Sequence, residues 1–316
     1  MKTTSHTVAE TVRLLEEYRP TTLLPLPGLA RFANVAHVYA KLENERPLGN
    51  FKFLGGMVAG MRALARDTAK GTDGTSASQV PRLICASDGN HGLSVAAAAR
   101  RAGVSASIYL PESVGLERAD RIVAMGGDII RIRGTYDDAV MAAVTAAARG
   151  DGILVPDTAD ADNIVVRDVM EGYGVIAAEI VSRFDNENRP SHLFVQAGVG
   201  GLAAAMADGL SSFMQEPRKL VVVEPEHAAC VSAALHAGRP VRIPGNLKTC
   251  AEMLSCGLAS APALEILLRH RAQPLLVTED ELLAAAALLA KSGGPETTPS
   301  GAAGLAGFLH VAARPE

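Results

Sequence analysis

The sequence predicts an α/β fold: open, twisted parallel sheets with helices on both faces, in two domains. Three observations lead there. Short apolar runs alternate with longer Ala-rich or amphipathic runs along most of the chain, and consecutive parallel strands need such helical crossovers. Hydrophobic residues make up 48% of the chain while aromatics reach only 4% and tryptophan is absent, so Ala, Val and Leu must fill the core. Small side chains suit close helix-on-sheet packing. A length of 316 residues fits about two domains.

In chain order, residues 8–18 predict a helix, and 19–27, with three prolines, an extended lead-in. Residues 36–42 (AHVYAKL) alternate like a strand. Residues 51–66 predict a helix. Residues 82–86 (RLICA) predict a strand, then 93–102 a helix stopped by Gly103. A strand at 106–110 closes at Pro111, and a helix at 117–125 closes at Gly126-Gly127. Strand 128–132, helix 137–149, short strand 153–155 and long helix 165–183 follow. Beyond the polar break at 185–191 come strand 193–196, a glycine turn, helix 202–213, strand 220–223 and helix 228–237. Strand 275–277 and helices 281–291 and 301–311 complete the pattern. The stretch 71–79 (GTDGTSASQ) reads as a loop between subdomains. The expected division is residues 1–72 with 152–316 as the large domain and 73–151 as the small one.

Composition excludes several functions. A net charge of −4 and a pI near 6.1 lack the basic surplus of a nucleic-acid binder. Cys85, Cys230, Cys250 and Cys256 form no CxxC pair, which argues against zinc and for small buried thiols in a reducing compartment. Histidines do not cluster, no HExxH or EF-hand pattern occurs, and no metal is expected. Residues 1–18 carry acids and no signal-peptide apolar core. The longest uncharged stretch, 190–207, falls short of the ~20 apolar residues a spanning helix needs. The chain reads as soluble, cytoplasmic and free of nucleic-acid or membrane partners.

Four segments carry chemistry. Lys52 lies between Phe51 and Phe53 at the head of an apolar segment, in a chain with 7 lysines against 23 arginines. A lysine in apolar surroundings has a depressed pKa and becomes a nucleophilic amine, able to form a Schiff base with a carbonyl such as that of pyridoxal phosphate (PLP). The plainer alternative is a helix-start lysine reaching back to water. Gln196-Ala197-Gly198-Val199-Gly200-Gly201-Leu202 runs from strand to helix, where glycines let backbone N–H groups approach an anion. Ala203 breaks the GxGxxG dinucleotide pattern and no GK[ST] follows, so the alternatives are a phosphate cup or a tight turn without ligand. Ser87-Asp88-Gly89-Asn90-His91-Gly92 also joins a strand to a helix. Ser87 and Asp88 can cap that helix, or the loop can hold a carboxylate with Asn90 as a neutral donor. Ser300, before the last helix, reads as an N-cap.

Taken in this order, the segments resemble the fold-type II PLP enzymes, the group of tryptophan synthase β, threonine dehydratase and cysteine synthase. The resemblance runs from about Pro20 to Leu309. It implies the tryptophan synthase β-like fold and PLP as cofactor. Lys52 matches the Schiff-base lysine, Asn90 the partner of the ring hydroxyl, Gly198, Val199, Gly200, Gly201 and the adjoining Leu202 the phosphate loop, and Ser300 the residue facing the pyridine nitrogen. Ser87, Asp88, Gly89, Asn90 and His91 would bind the substrate carboxylate. Within the group the chain is similar to the diaminopropionate ammonia-lyases, through Asn50-Phe51-Lys52, Ser87 to Gly92, Asp157-Thr158-Ala159, Glu171-Gly172-Tyr173, Val223-Glu224-Pro225 and Ser300-Gly301-Ala302.

That similarity implies α,β-elimination on a small amino acid, with 2,3-diaminopropionate giving pyruvate and ammonia, and with Lys52, Asp88 and Asp157 as catalytic groups. An acid at Asp88 suits a substrate with a second ammonium, a charge-assisted bond contributing roughly 1.5–3 kcal/mol. Two departures stand out. Asp160-Ala161-Asp162-Asn163 replaces an aromatic WEGY-like run, and the chain ends at Glu316 where relatives add a strand and a polar glycine loop. An exposed sheet edge there predicts a homodimer. A serine or threonine dehydratase, a β-replacement synthase, and a PLP-binding protein without turnover remain as alternatives.

Overall fold

A computed structural model of the chain describes residues 5–15, 17–71, 81–87, 89–158, 162–185 and 188–313. The expected interdomain loop at 71–79 therefore falls almost wholly outside the described residues, and so does Asp88.

The N-terminal part runs α1 (Ser5–Arg13), β1 (Leu23–Pro25), α2 (Pro27–Phe32), β2 (Tyr39–Lys41) and α3 (Lys52–Gly71). Next come β3 (Arg82–Ala86), α4 (Asn90–Ala102), β4 (Ser105–Pro111), α5 (Leu116–Ala124), β5 (Gly127–Ile132), α6 (Tyr136–Ala148) and β6 (Ile153–Leu154). The remainder is α7 (Ile164–Val181), β7 (His192–Gln196), α8 (Gly201–Leu210), β8 (Lys219–Pro225), α9 (Cys230–Ala237), α10 (Ala261–Arg269), β9 (Gln273–Val277), α11 (Glu279–Lys291) and α12 (Pro299–Ala312).

Two parallel sheets result, with strand orders β5-β4-β3-β6 and β7-β8-β9. All their pairings are parallel, as the β-α alternation predicted. The first sheet spans Arg82 to Leu154. The expected strand at 36–42 shortens to Tyr39–Lys41 and pairs antiparallel with Leu23–Pro25, inside the extended lead-in at 19–27. Pro25 sits at the strand's end, where a missing N–H costs little.

Two helices escaped the pattern, α2 and α10. Each carries proline in its first turn, Pro27 and Pro262, where the absent N–H would have been unpaired anyway. A proline reads as a breaker in sequence; here it marks a start.

Helices α3, α7 and α8 lie between the sheets and share one apolar core, in which Leu54, Met57, Leu83, Ile108, Val195 and Ala204 are buried. The crossing of α3 and α7 is unusually tight. A Cβ on Gly172 would lie 2.6 Å from the Leu54 carbonyl oxygen and 2.8 Å from Gly55 Cα, so only glycine lets the backbones meet. Ionic clusters lock the same helices. Arg62 pairs with Asp168 at 2.9 Å and also with Glu171, and Arg66 pairs with Asp168 at 2.5 Å. Glu179 on α7, buried, accepts from Lys41 Nζ at 2.6 Å, from both Arg46 terminal nitrogens at 3.0 and 2.9 Å and from Tyr18 Oη at 2.9 Å. That cluster ties the β1–β2 region to the core.

Candidate active site

The Ser87 loop follows β3, Asp157 follows β6 and the glycine turn follows β7, each at the carboxyl end of a parallel strand, where ligands bind in open α/β sheets. Lys52 is the first residue of α3, and Asn50 Oδ1 accepts its backbone N–H at 3.1 Å. Its ammonium does not reach back to water. Nζ donates to Asp157 Oδ2 at 2.8 Å, with 23% of the lysine side chain and 10% of the aspartate exposed. Asp157 follows β6, and its Oδ1 accepts from Tyr136 Oη at 2.8 Å. Tyr136 opens α6, whose N-cap Thr135 and Asp138 form a reciprocal capping box.

Burial alone would depress Lys52, as the sequence suggested. The structure reverses that expectation. Burial pulls the ammonium pKa down, but the Asp157 charge and hydrogen bond outweigh it and hold it above its ordinary value. Burial likewise pushes Asp157 up, and Lys52, His91 and Tyr136 together hold it below the usual carboxylate range. Tyr173, against Phe51 at 5.0 Å between ring centroids, has its phenol pushed up to about 12 by burial.

The Ser87–Gly92 loop is self-supporting. Ser87 Oγ accepts the N–H groups of Gly89 at 2.9 Å and Gly92 at 2.8 Å, so Ser87 satisfies the start of α4 from two residues before its N-cap, Gly89. Those two N–H groups are consequently not free for a ligand. His91 is 2% exposed, and its Nε2 bonds the Val155 carbonyl at 2.8 Å, two residues from Asp157. Burial lowers its pKa. The neutral ring donates through Nε2, leaving Nδ1 buried without a partner. Among the five loop residues named from sequence, His91 thus faces the protein rather than an open crevice. Asn90 Nδ2 points to Met253 Sδ at 3.7 Å.

Across the crevice, Gly200 caps α8 with φ +99°, a left-handed conformation that favours glycine. The turn leaves the N–H groups of the first turn of α8, from Gly201 and Leu202 on, without helical acceptors. Ala197 N bonds Val223 O at 3.0 Å and Ser260 N bonds Val199 O at 2.9 Å, so both arms of the turn are pinned. Ser300 is not the N-cap of α12. Thr298 is, its Oγ1 accepting from Gly301 N at 3.2 Å, with Pro299 next. Ser300 is buried one residue further and its Oγ accepts from Met253 N at 3.2 Å. Met253 therefore touches both Asn90 and Ser300. Sequence reading passed over its short 3-10 turn, Glu252–Leu254, because three residues carry no periodicity.

Two ion pairs involve sequence neighbours of the site: Arg118 of α5 with Glu252, next to Met253, and Arg242 with Asp137 of α6, next to Tyr136. Arg121 adds a bond to the Leu48 carbonyl at 2.8 Å. Sequence reading also missed Tyr136; a tyrosine one residue after a Thr-capped helix start has no distinguishing local signal.

This donor set fits a phosphorylated aldehyde: a largely buried amine, a glycine turn at a helix N-terminus, and the neutral side chains of Asn90 and Ser300, both in contact with Met253. A Cβ on Gly198 would come within 3.1 Å of Cys256 Sγ, so a side chain would fill the cradle. The family described as "pyridoxal-phosphate dependent enzyme" matches residues 14–316. The chain belongs to the pyridoxal-phosphate-dependent enzymes. Its cofactor is pyridoxal 5'-phosphate.

Among these enzymes, the chain is 32% identical over 282 residues to the diaminopropionate ammonia-lyase of Escherichia coli K12, covering 84% of this chain and 70% of that protein. It is 27% identical over 293 residues to a biosynthetic L-threonine dehydratase of Haemophilus influenzae, covering 92% of this chain and 53% of that one. The crystal structure of Escherichia coli diaminopropionate ammonia-lyase in complex with an aminoacrylate-PLP azomethine reaction intermediate superposes with TM-score 0.85 at 27% identity, covering 98% of this chain and 82% of that one. No described helix is long and apolar enough to cross a membrane, and no described group of His, Cys, Asp and Glu is suited to a metal.

Proposed function

We propose that this pyridoxal-phosphate-dependent lyase acts on 2,3-diaminopropionate, converting it with water into pyruvate and two molecules of ammonia. The observation that carries the substrate is Asp157. It is an ionised carboxylate inside the crevice that already holds an ammonium, that of Lys52, at 2.8 Å. A substrate with two ammonium groups supplies a replacement partner when the lysine is engaged elsewhere. Similarity to the diaminopropionate ammonia-lyase of Escherichia coli supports the same reading.

Lys52 would hold the cofactor through its amine, Gly198, Val199, Gly200, Gly201 and Leu202 its phosphate through backbone N–H groups, Asn90 its ring hydroxyl, and Ser300 its ring nitrogen. When bound, the cofactor supplies the electron sink for loss of the α-proton. The protein's own residues position and move protons. The Ser87–His91 loop would meet the substrate carboxylate through the backbone N–H groups of Asn90 and His91 at the start of α4, that of Gly89 being taken by Ser87. Lys52 accepts the Cα proton, or Asp88 does for the opposite enantiomer. Asp157 orients the β-ammonium that leaves as ammonia, and Tyr136 keeps Asp157 in place. Ser300, a neutral hydroxyl, donates no full charge to the ring nitrogen.

We further take residues 73–151 as a small α/β domain beside a large cofactor-binding domain of 1–72 with 152–316, a division supported by the first parallel sheet running from Arg82 to Leu154. The enzyme is a homodimer of a reducing, cytoplasmic compartment. Phe32, Val35 and Tyr39, within eight residues of one another and exposed at 70, 44 and 40%, are apolar surface that a second copy would cover. Light scattering over a dilution series tests the dimer; a monomer with full turnover at nanomolar concentration would refute it.

The function is tested by supplying PLP and a panel of diaminopropionate, serine and threonine, and measuring keto acid. Faster product from serine or threonine makes the protein a dehydratase. Borohydride reduction followed by peptide mapping should label Lys52 and no other lysine.

A further inference from the structure

Glu224 takes no part in the chemistry above, yet it is a carboxylate with no exposed surface, one residue from the end of β8. Its oxygens are both engaged. Oε1 accepts from Val231 N at 2.8 Å and Oε2 from Ser232 N at 2.7 Å. These are donors of the first turn of α9, where no helical carbonyl precedes them. The N-cap residue of α9 is Ala229, whose methyl can accept nothing. Glu224 thus caps the helix from a neighbouring strand.

The turn it caps is the floor under the glycine turn. Cys230 Sγ donates to the Gly198 carbonyl at 3.3 Å. Val231 Cγ2 lies 3.3 Å from the point a Gly200 Cβ would occupy. The residue before Glu224 holds the same turn from the side, through Ala197 N and Val223 O. Gly198, Gly200 and Gly201 have no side chains to fix their own positions, so the spacing of the turn's N–H groups is inherited from α9 and β8. Burial pushes the Glu224 carboxyl up to about 8, the two N–H bonds opposing the shift. A buried acid at that cost needs a compensating role.

We infer that Glu224 is a positioning residue for the cofactor phosphate: by clamping the first turn of α9 it sets the backbone of Gly198–Gly201 to the phosphate's dimensions. The inference rests on the reading of that turn as the phosphate cup.

Glu224→Gln tests it. Measured above about pH 9, where a carboxyl raised to about 8 is ionised, the variant's amide presents hydrogens to an N–H group that the carboxylate accepts, donor facing donor, while volume is conserved. Dissociation constants are measured by absorbance for PLP and for pyridoxal, which has the aldehyde and lacks the phosphate. For the wild type, PLP must bind tighter than pyridoxal; equal affinities would sink the phosphate-cup reading itself. Given that preference, Glu224→Gln should weaken PLP at least 10-fold and leave pyridoxal within about 2-fold. A change shared equally by both ligands, or by neither, would make Glu224 a purely structural cap and overturn the inference. Should that variant fail to fold, Cys230→Ala cuts the contact to Gly198 while leaving the cap intact. It should show the same selective loss of PLP affinity, and an unchanged ratio would overturn the inference equally.

Discussion

The Lys52 ammonium and the Asp157 carboxylate meet at 2.8 Å across 105 residues of chain, joining the first residue of α3 to the segment that leaves β6. The pair keeps Lys52 protonated, and a protonated amine cannot attack an aldehyde. Loading the cofactor therefore requires the lysine to give up a proton and part from Asp157.

Asp157→Asn should expose this. With the carboxylate gone, burial, the largest influence on the ammonium, is left without its main opponent and lowers its pKa. The pH at which PLP capture reaches half its maximal rate should move down relative to wild type, while turnover of diaminopropionate falls. Stopped-flow absorbance across pH 6–10 reads the first effect (a range bracketing roughly the ordinary lysine value). An unmoved or raised midpoint would mean that Asp157 does not control the lysine.

Tyr136→Phe removes one hydrogen bond to Asp157 and leaves the lysine pair. A bond to an ionised acceptor contributes about 1.5–3 kcal/mol, so kcat/KM should fall roughly 10- to 100-fold. PLP affinity should hold, since the bond removed runs to Asp157, which is not among the proposed cofactor-binding residues. A loss of affinity with unchanged kcat would assign Tyr136 to the cofactor.

Gly200→Asp puts a carboxylate at the start of α8, at φ +99° and against Val231. PLP affinity should drop by more than the fold is weakened, as repulsion adds to strain. Comparing PLP affinity with the urea midpoint of the cofactor-free protein separates the two.

Glu179→Ala leaves Lys41 and Arg46 facing each other in a site where the arginine side chain is 2% exposed. Removing one partner of a buried pair costs about 3–5 kcal/mol. The urea midpoint should fall accordingly, and a shift equivalent to under about 1 kcal/mol would show that water enters the cluster.

Much of this was legible in the sequence because glycines, prolines and apolar runs are local signals. The parallel strands at 82–86, 106–110 and 193–196 and the glycine turn at 198–201 needed no partner to be recognised. The protonation of Lys52 was not legible. Its apolar neighbours argued for a depressed pKa, and the opposing charge lies 105 residues away. Ser300 failed as a cap for a related reason: Thr298 and Ser300 are both good caps by type, and only the backbone decides which precedes the first turn. Helices α2 and α10 were missed through their prolines. Met253 and Tyr136 carry no motif at all and enter the site only through tertiary folding.

The two ion pairs beside the site are exposed, with 34 and 64% of the side chains open at Arg118 and Glu252, and 57 and 46% at Arg242 and Asp137. Exposed charges are screened over about 10 Å at 0.1 M salt, and buried pairs much less. The pair of Arg46 with Glu179, at 2 and 4% exposure, belongs to the second kind. The fold therefore carries two grades of ionic fastening, and added salt loosens the outer grade beside the site well before it reaches the inner one.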